Sequence, residues 1–197
     1  MNTSYAKAET LTGTIFTPLD WVKSAALVIA FSLFVALSAQ VVIPLPFTPV
    51  PITLQTFAVL LTGALLGSRL GALALVAYLV EGALGLPFFR GGNGGWLYLA
   101  VSPTAGYLLA YPLAAFLTGW LAERGWDRRF LTAAAAIALG SAVVLAGGWL
   151  GLLRFYSAGQ AFALGVAPFI VGDVLKIALA AAALPSGWAL LRKNRKS

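Results

Sequence analysis

An all-α integral membrane bundle of six transmembrane helices, with N and C termini cytoplasmic, is the fold class that this chain of 197 residues predicts. Three observations carry that reading. Hydrophobic residues make up 60% of the chain and charged residues 10%, where a soluble domain holds about 25% charged residues. Apolar runs separated by short polar joints fill nearly the whole length. The basic residues gather in alternate joints, as they do on the cytoplasmic side of a membrane protein.

A crossing takes about 20 apolar residues, and fewer where flanking residues adapt. Breaks at glycine, proline and charge give spans near 22–43, 52–67, 70–86, 104–122, 130–150 and 163–190, within a single membrane domain over 1–197. Span one follows a polar lead containing Lys7, Glu9, Asp20 and Lys23. Ser24 to Ala39 has the pattern of a signal-peptide core, with Ala36 and Ser38 where cleavage-site residues stand. The two acids and the spanning length predict a retained helix instead. Span two is short and bounded by Pro49 and Pro51.

Lys7, Lys23, Arg69, Arg124, Arg128, Arg129, Arg192, Lys193, Arg195 and Lys196 fall in the inner joints, against Arg90 and Arg154 outside. Only an even number of spans puts both basic ends on one side. Trp21, Trp120, Trp126 and Trp188 then fall near the inner boundary and Trp96 and Trp149 near the outer one, as interfacial aromatics. The joint from Phe88 to Thr104 is unusual, for it holds Arg90, Gly91, Gly92, Asn93, Gly94, Gly95, Trp96 and Tyr98. Backbone of that kind can rest against a membrane only if protein or ligand satisfies its polar groups. It reads either as a flexible outer loop or as a gate over a pocket.

Several classes drop out. Cysteine and histidine are absent, which removes thiol nucleophiles, the commonest metal ligand and the commonest general base. No catalytic residue and no metal ligand is assigned, and no enzyme activity is expected. There is no phosphate-binding G-x-x-x-x-G-K-[ST] loop, and the 91–95 glycine run lacks the strand and helix of a dinucleotide site. The net charge of +7 sits at the ends of apolar runs rather than on one face, so no nucleic-acid partner is expected. The two halves have no visible internal repeat, which weakens an inverted-repeat carrier.

The informative charges are those at membrane depth, where Asp or Lys at a helix centre costs roughly 2.5–3.5 kcal/mol. Asp173 and Lys176 stand at i and i+3 in the last span, one turn apart on the same side. The pair either locks helices together by mutual neutralisation or lines a polar cavity, the ammonium meeting an anion and the carboxylate accepting N–H groups. Glu81, about 18 Å along span three, faces a pocket or snorkels outward. Gln55, with Thr53 beside it, is a helix-to-helix hydrogen bonder or a reader of a ligand amide. Arg90 with the Gly91–Gly95 backbone is a solvated loop arginine or a carboxylate cradle. In span one, Ala26 and Ala30 form a small-xxx-small face on which another helix can approach.

Five stretches occur in order: PVPITLQT (Pro49 to Thr56), GALGLPFF (Gly82 to Phe89), GGNGG (Gly91 to Gly95), SPTAGY (Ser102 to Tyr107) and PFIVGDVLK (Pro168 to Lys176). Together they closely resemble the BioY family, the biotin-specific S components of energy-coupling factor (ECF) transporters, across about two thirds of the chain. Ser102 and Ala105 stand where that pattern has glycines, and Arg90 where a small residue is common.

The resemblance implies a six-helix bundle in the cell (plasma or inner) membrane that holds biotin near its outer face. It implies partners, too: a transmembrane coupling protein and two ATPase subunits, which hydrolyse the ATP, so that this chain carries no cofactor. Ala26 and Ala30 become the docking face for the coupling protein. Ligand contacts fall on the glycine-rich joint and on Asp173 and Lys176. The substrate-binding set is Asp173, Lys176, Arg90, Asn93, Gln55, Glu81, Gly91, Gly92, Tyr98 and Tyr107. Lys176 with Arg90 would neutralise the carboxylate; Asp173, Asn93 and Gln55 are candidates for the ureido group. The alternative is a stand-alone secondary carrier for biotin or another small carboxylated vitamin, with Glu81 or Asp173 relaying protons.

Overall fold

The computed structural model describes residues 10–16 and 19–194. Of the residues behind the orientation and the retained first span, Lys7, Glu9, Arg195 and Lys196 lie outside the described residues. The described chain is helical apart from turns and one small ribbon. A short helix α1 (Leu11–Ile15) precedes α2 (Trp21–Ser38), which Asp20 caps by accepting the Lys23 N–H at 2.8 Å. Strands β1 (Val42–Ile43) and β2 (Ile52–Thr53) pair antiparallel, Val42 opposite Thr53. Then come α3 (Gln55–Leu66), α4 (Ser68–Ala83), α5 (Trp96–Val101), α6 (Ala105–Ala122), α7 (Phe130–Leu152), α8 (Ala158–Gly165) and α9 (Ile170–Asn194).

Among the described residues, four helical stretches are long and apolar enough to cross a membrane: Trp21–Ser38, Ala105–Ala122, Phe130–Leu152 and Ala158–Arg192, the last containing α8 and most of α9. The first expected span ran to residue 43, but the helix stops at Ser38. Pro44, Pro46, Pro49 and Pro51 follow, and residues without an amide proton cannot extend a helix or a ladder, so a proline-rich hairpin forms instead. The expected joint from Phe88 to Thr104 contains a helix, α5, rather than being wholly irregular.

α6 is the hub, packed against α3, α4 and α7, while α9 lies on α7 and α2 on α4. Small residues let α6 and α7 approach: a Cβ added at Gly106 would stand 2.4 Å from the Gly147 carbonyl oxygen. α3 lies within the bundle, and Ala58, Val59, Leu60, Ala64 and Leu66 are all buried. At the end of the bundle where α3 turns into α4, Glu123 accepts hydrogen bonds from the Ser68 amide and hydroxyl, both at 2.9 Å. That supplies from α6 the N-terminal cap that α4 lacks locally.

Trp188 is covered by protein rather than set out on the surface as an interfacial aromatic is. It is 7% exposed, and its indole N–H donates to Asp127 at 2.6 Å. A buried indole needs a partner for its one donor, and Asp127, in the turn between α6 and α7, provides it. Trp21 and Trp96, by contrast, are 82% and 72% exposed.

Candidate functional site

At the opposite end of the bundle from Asp127, the ribbon and α3, α6, α7 and α9 line a cavity of about 550 Å³, a volume that includes the open solvent at its mouth. The hairpin contributes Val50, Pro51 and Thr53; α3 begins with Gln55 and Thr56; α6 presents Tyr107, Leu108 and Tyr111. Phe169, Asp173 and Lys176 reach it from the last helical stretch, and Arg90, Tyr98 and Thr104 from the glycine-rich side. The walls are thus mainly aromatic and aliphatic, with a few polar groups converging.

A break in the last stretch shapes one wall. Pro168 has no amide proton, and the Phe169 N–H turns to the Val166 carbonyl at 3.0 Å, so α8 and α9 are joined by a tight turn. A continuous helix would have used the Gly165 carbonyl at Phe169. Here that carbonyl accepts the Tyr107 hydroxyl at 2.5 Å instead. The Tyr107 ring lies where a side chain on α7 would be, since a Cβ added at Gly148 would stand 2.0 Å from it. Aromatic position and helix break are therefore one feature.

The charged pair sits just past this break. Lys176 Nζ lies 3.7 Å from Asp173 Oδ1 and donates to Thr56 Oγ1 at 2.6 Å. The other Asp173 oxygen accepts the Ser141 hydroxyl from α7. Asp173 is 7% exposed. Each ion thus has the opposite ion and a neutral partner, which is what makes burial of both tolerable. The pair does lock helices, through Ser141 and Thr56, and it also lines the cavity, so the two sequence readings of it are not exclusive.

On the other side, Arg90 Nε donates to the Tyr98 hydroxyl at 3.0 Å, which lies 3.2 Å from Thr104 Oγ1, itself 2.8 Å from Ser102 Oγ. Arg90 rides on a turn anchored by Phe89, which is fully buried, stacks on Tyr98 and meets Tyr78 edge-on. Gln55 donates to the Tyr78 hydroxyl at 2.5 Å, which makes it the helix-to-helix hydrogen bonder of one reading, and it also lines the cavity.

Of the residues singled out from sequence, Asp173, Lys176, Arg90, Gln55, Tyr98 and Tyr107 come together around the cavity. Asn93, Gly91 and Gly92 are exposed and off its wall. Asn93 instead closes the turn, its side-chain amide donating to the Arg90 carbonyl at 2.8 Å and its own carbonyl accepting the Phe89 N–H at 2.8 Å. Gly91 and Gly92 take φ of 64° and 76°, which that turn requires. Glu81 also lies off the wall; its Oε2 is buried without a hydrogen-bond partner among the described residues. Ala26 and Ala30 are exposed on α2, away from the cavity. Sequence reasoning passed over Ser141, Thr56, Thr104 and Tyr111. Single hydroxyls in apolar helices are common, and the only signal was their helical phase relative to a partner helix not yet known.

A family model described as "BioY family" matches residues 3–193. "Probable biotin transporter BioY" of Pyrococcus horikoshii is 41% identical over 158 residues, covering 80% of this chain and 91% of that protein. "Biotin transporter BioY" of Thermotoga maritima is 38% identical over 141 residues, covering 71% and 81%. Among solved structures, the S-component for biotin from an ECF-type ABC transporter superposes with a TM-score of 0.78 at 27% identity, covering 90% of this chain and 95% of that one.

Proposed function

The chain belongs to the BioY family, and on that premise we propose that it is the substrate-binding subunit of a biotin importer, not an enzyme. It captures biotin from outside, and an ECF module of a coupling protein and two ATPase subunits drives uptake. ATP is hydrolysed by those partners, and this chain needs no cofactor. The observation that carries the proposal is the Asp173–Lys176 pair, held by Ser141 and Thr56 on the wall of a mostly apolar cavity.

The chemistry of the wall fits the ligand. Asp173, Lys176 and Arg90 sum to a formal charge of +1, matching one carboxylate. Lys176 already has its counter-ion, so Arg90, braced by Tyr98, takes the carboxylate. The ureido group has two N–H donors and one carbonyl. Asp173 and the Gln55 carbonyl oxygen accept from the donors, and Lys176 with Thr56 serves the carbonyl. Tyr98, Tyr107, Tyr111 and Phe169 cover the rings and the aliphatic chain.

Six spans in the cell membrane, both termini cytoplasmic, complete the reading. To the four long stretches it adds α3 and α4, whose 12 and 16 residues rise about 18 and 24 Å. Both are short for a bilayer core of about 30 Å, and α3 is sheltered by protein rather than lipid. The cavity then opens outward, and Ala26 and Ala30 on α2 meet the coupling protein.

Titration of the purified chain against a panel of carboxylated vitamins tests this. Biotin should bind saturably and in preference to the rest. Lys176→Ala should weaken it tenfold or more; a change within threefold, about 0.7 kcal/mol, would remove Lys176 from the site.

A further inference from the structure

Gln40 does not line the cavity, yet its side chain ties the Arg90 turn to the end of α2. It stands two residues past the end of α2, exposed to solvent. Its amide nitrogen donates to the Ala36 carbonyl at 3.0 Å, which fixes the side chain on its own helix. The same nitrogen lies 3.3 Å from the Pro87 carbonyl oxygen and 3.4 Å from that of Phe89, and its Oε1 accepts the Gly92 amide at 2.9 Å. Gln40 therefore grips the backbone on both sides of Arg90, through Phe89 before it and Gly92 after it.

Past the turn, the Gly95 N–H donates to the Gly82 carbonyl of α4 at 2.7 Å, so the segment is pinned at Phe89 and at Gly95, and Gln40 braces it between them. Gly91 and Gly92 stand clear: a Cβ added at Gly92 would meet nothing within 4 Å, and one at Gly91 only the Asn93 side chain. Asn93 gives the turn its shape through bonds to Arg90 and Phe89, but these are internal to it. The Phe89 ring anchors its start. Displacement of the part between Phe89 and Gly95 is opposed by the bonds to Gln40, and such a displacement would carry the guanidinium away from Tyr98. An amide suits the task, since it offers a donor and an acceptor at once.

We propose that Gln40 is a positioning residue for ligand binding, holding the turn so that the Arg90 guanidinium is preset for the anionic end of the ligand. The inference rests on the biotin reading above. Preset geometry lowers the ordering cost of binding, and Gln40 acts only through Arg90, so its contribution belongs to the carboxylate and not to the ring.

The experiment is a double-mutant cycle on the purified full-length chain, with affinities measured for biotin and for its uncharged carboxamide. Gln40→Ala should weaken biotin about tenfold and the carboxamide less than twofold, and it should add nothing in an Arg90→Ala background. Gln40→Glu keeps the acceptor for Gly92 but loses the donated bonds, and should fall between wild type and Gln40→Ala. Hydrogen exchange of the Gly92 amide should speed up in Gln40→Ala, with a melting temperature close to wild type. Equal weakening of both ligands, a full Gln40 effect retained without Arg90, or unchanged biotin affinity would each overturn the proposal. A wild-type chain that binds no biotin would instead sink the biotin reading, and this inference with it.

Discussion

Two aspartates, at opposite ends of the bundle, are both almost fully buried, Asp173 at 7% and Asp127 at 1% exposure. Asp173 has a lysine 3.7 Å away, a hydroxyl donor and a cavity beside it. Asp127 has one indole donor at 2.6 Å, an oxygen with no hydrogen-bond partner among the described residues, and no place on the cavity wall. Arg128 lies near it but stands over the Trp188 ring at 4.6 Å. Burial pushes the Asp127 carboxyl above its ordinary range, opposed by the Trp188 hydrogen bond and by Arg128. What separates the two acids is the hollow: both are buried and hydrogen-bonded, but only Asp173 borders the cavity, which makes it the candidate for ligand contact, whereas Asp127 ties the turn to α9.

The contrast is broken most directly at the two acids themselves. Asp173→Ala leaves Lys176 buried without its counter-ion, a loss of about 3–5 kcal/mol, and should reduce biotin affinity a hundredfold or more by titration. Asp127→Ala strands the Trp188 N–H, costing about 1–3 kcal/mol; its melting temperature should drop while affinity stays within threefold. Comparable loss of affinity in the two variants would erase the distinction. A smaller effect sharpens it. Ser141→Ala removes a hydrogen bond to a charged group, about 1.5–3 kcal/mol, and should weaken biotin tenfold or more. Ser32→Ala, whose hydroxyl serves only the Ile29 carbonyl of its own helix, should leave affinity unchanged.

The smallest effect concerns pH. Because the folded Asp127 holds its proton more tightly than the unfolded chain does, its contribution is most favourable below the ordinary carboxylate range. Stability from this group then falls as pH rises through the folded value. Asp127→Asn keeps an acceptor for Trp188 and cannot ionise. Its melting temperature should gain on wild type as pH rises, and a difference that stays constant with pH would show that Asp127 does not titrate in this way.

Much of the site was readable because charge in an apolar run is costly and helical phase is regular. Asp173 and Lys176 declared themselves by that cost, and their i, i+3 spacing brought them together as expected. Arg90 and Tyr98 were legible as the polar content of an odd joint. Ser141 and Thr56 were not, for each became significant only when α7 and α3 delivered a hydroxyl to a charge on α9. The burial of Trp188 was hidden for the same reason: an indole near a helix end does not announce the acceptor, Asp127, that another segment brings to it.

Composition and periodicity alone were enough to require membrane helices, because so apolar a chain has no means of solvating its surface in water, and that argument concerns each segment separately. Which short helix lies inside, where Asn93 and Glu81 end up relative to the cavity, and which backbone Gln40 grips are matters of contact between segments far apart in the chain. Such contacts depend on packing angle and depth to within an ångström or two, and neither quantity is encoded in the spacing of residues along one helix.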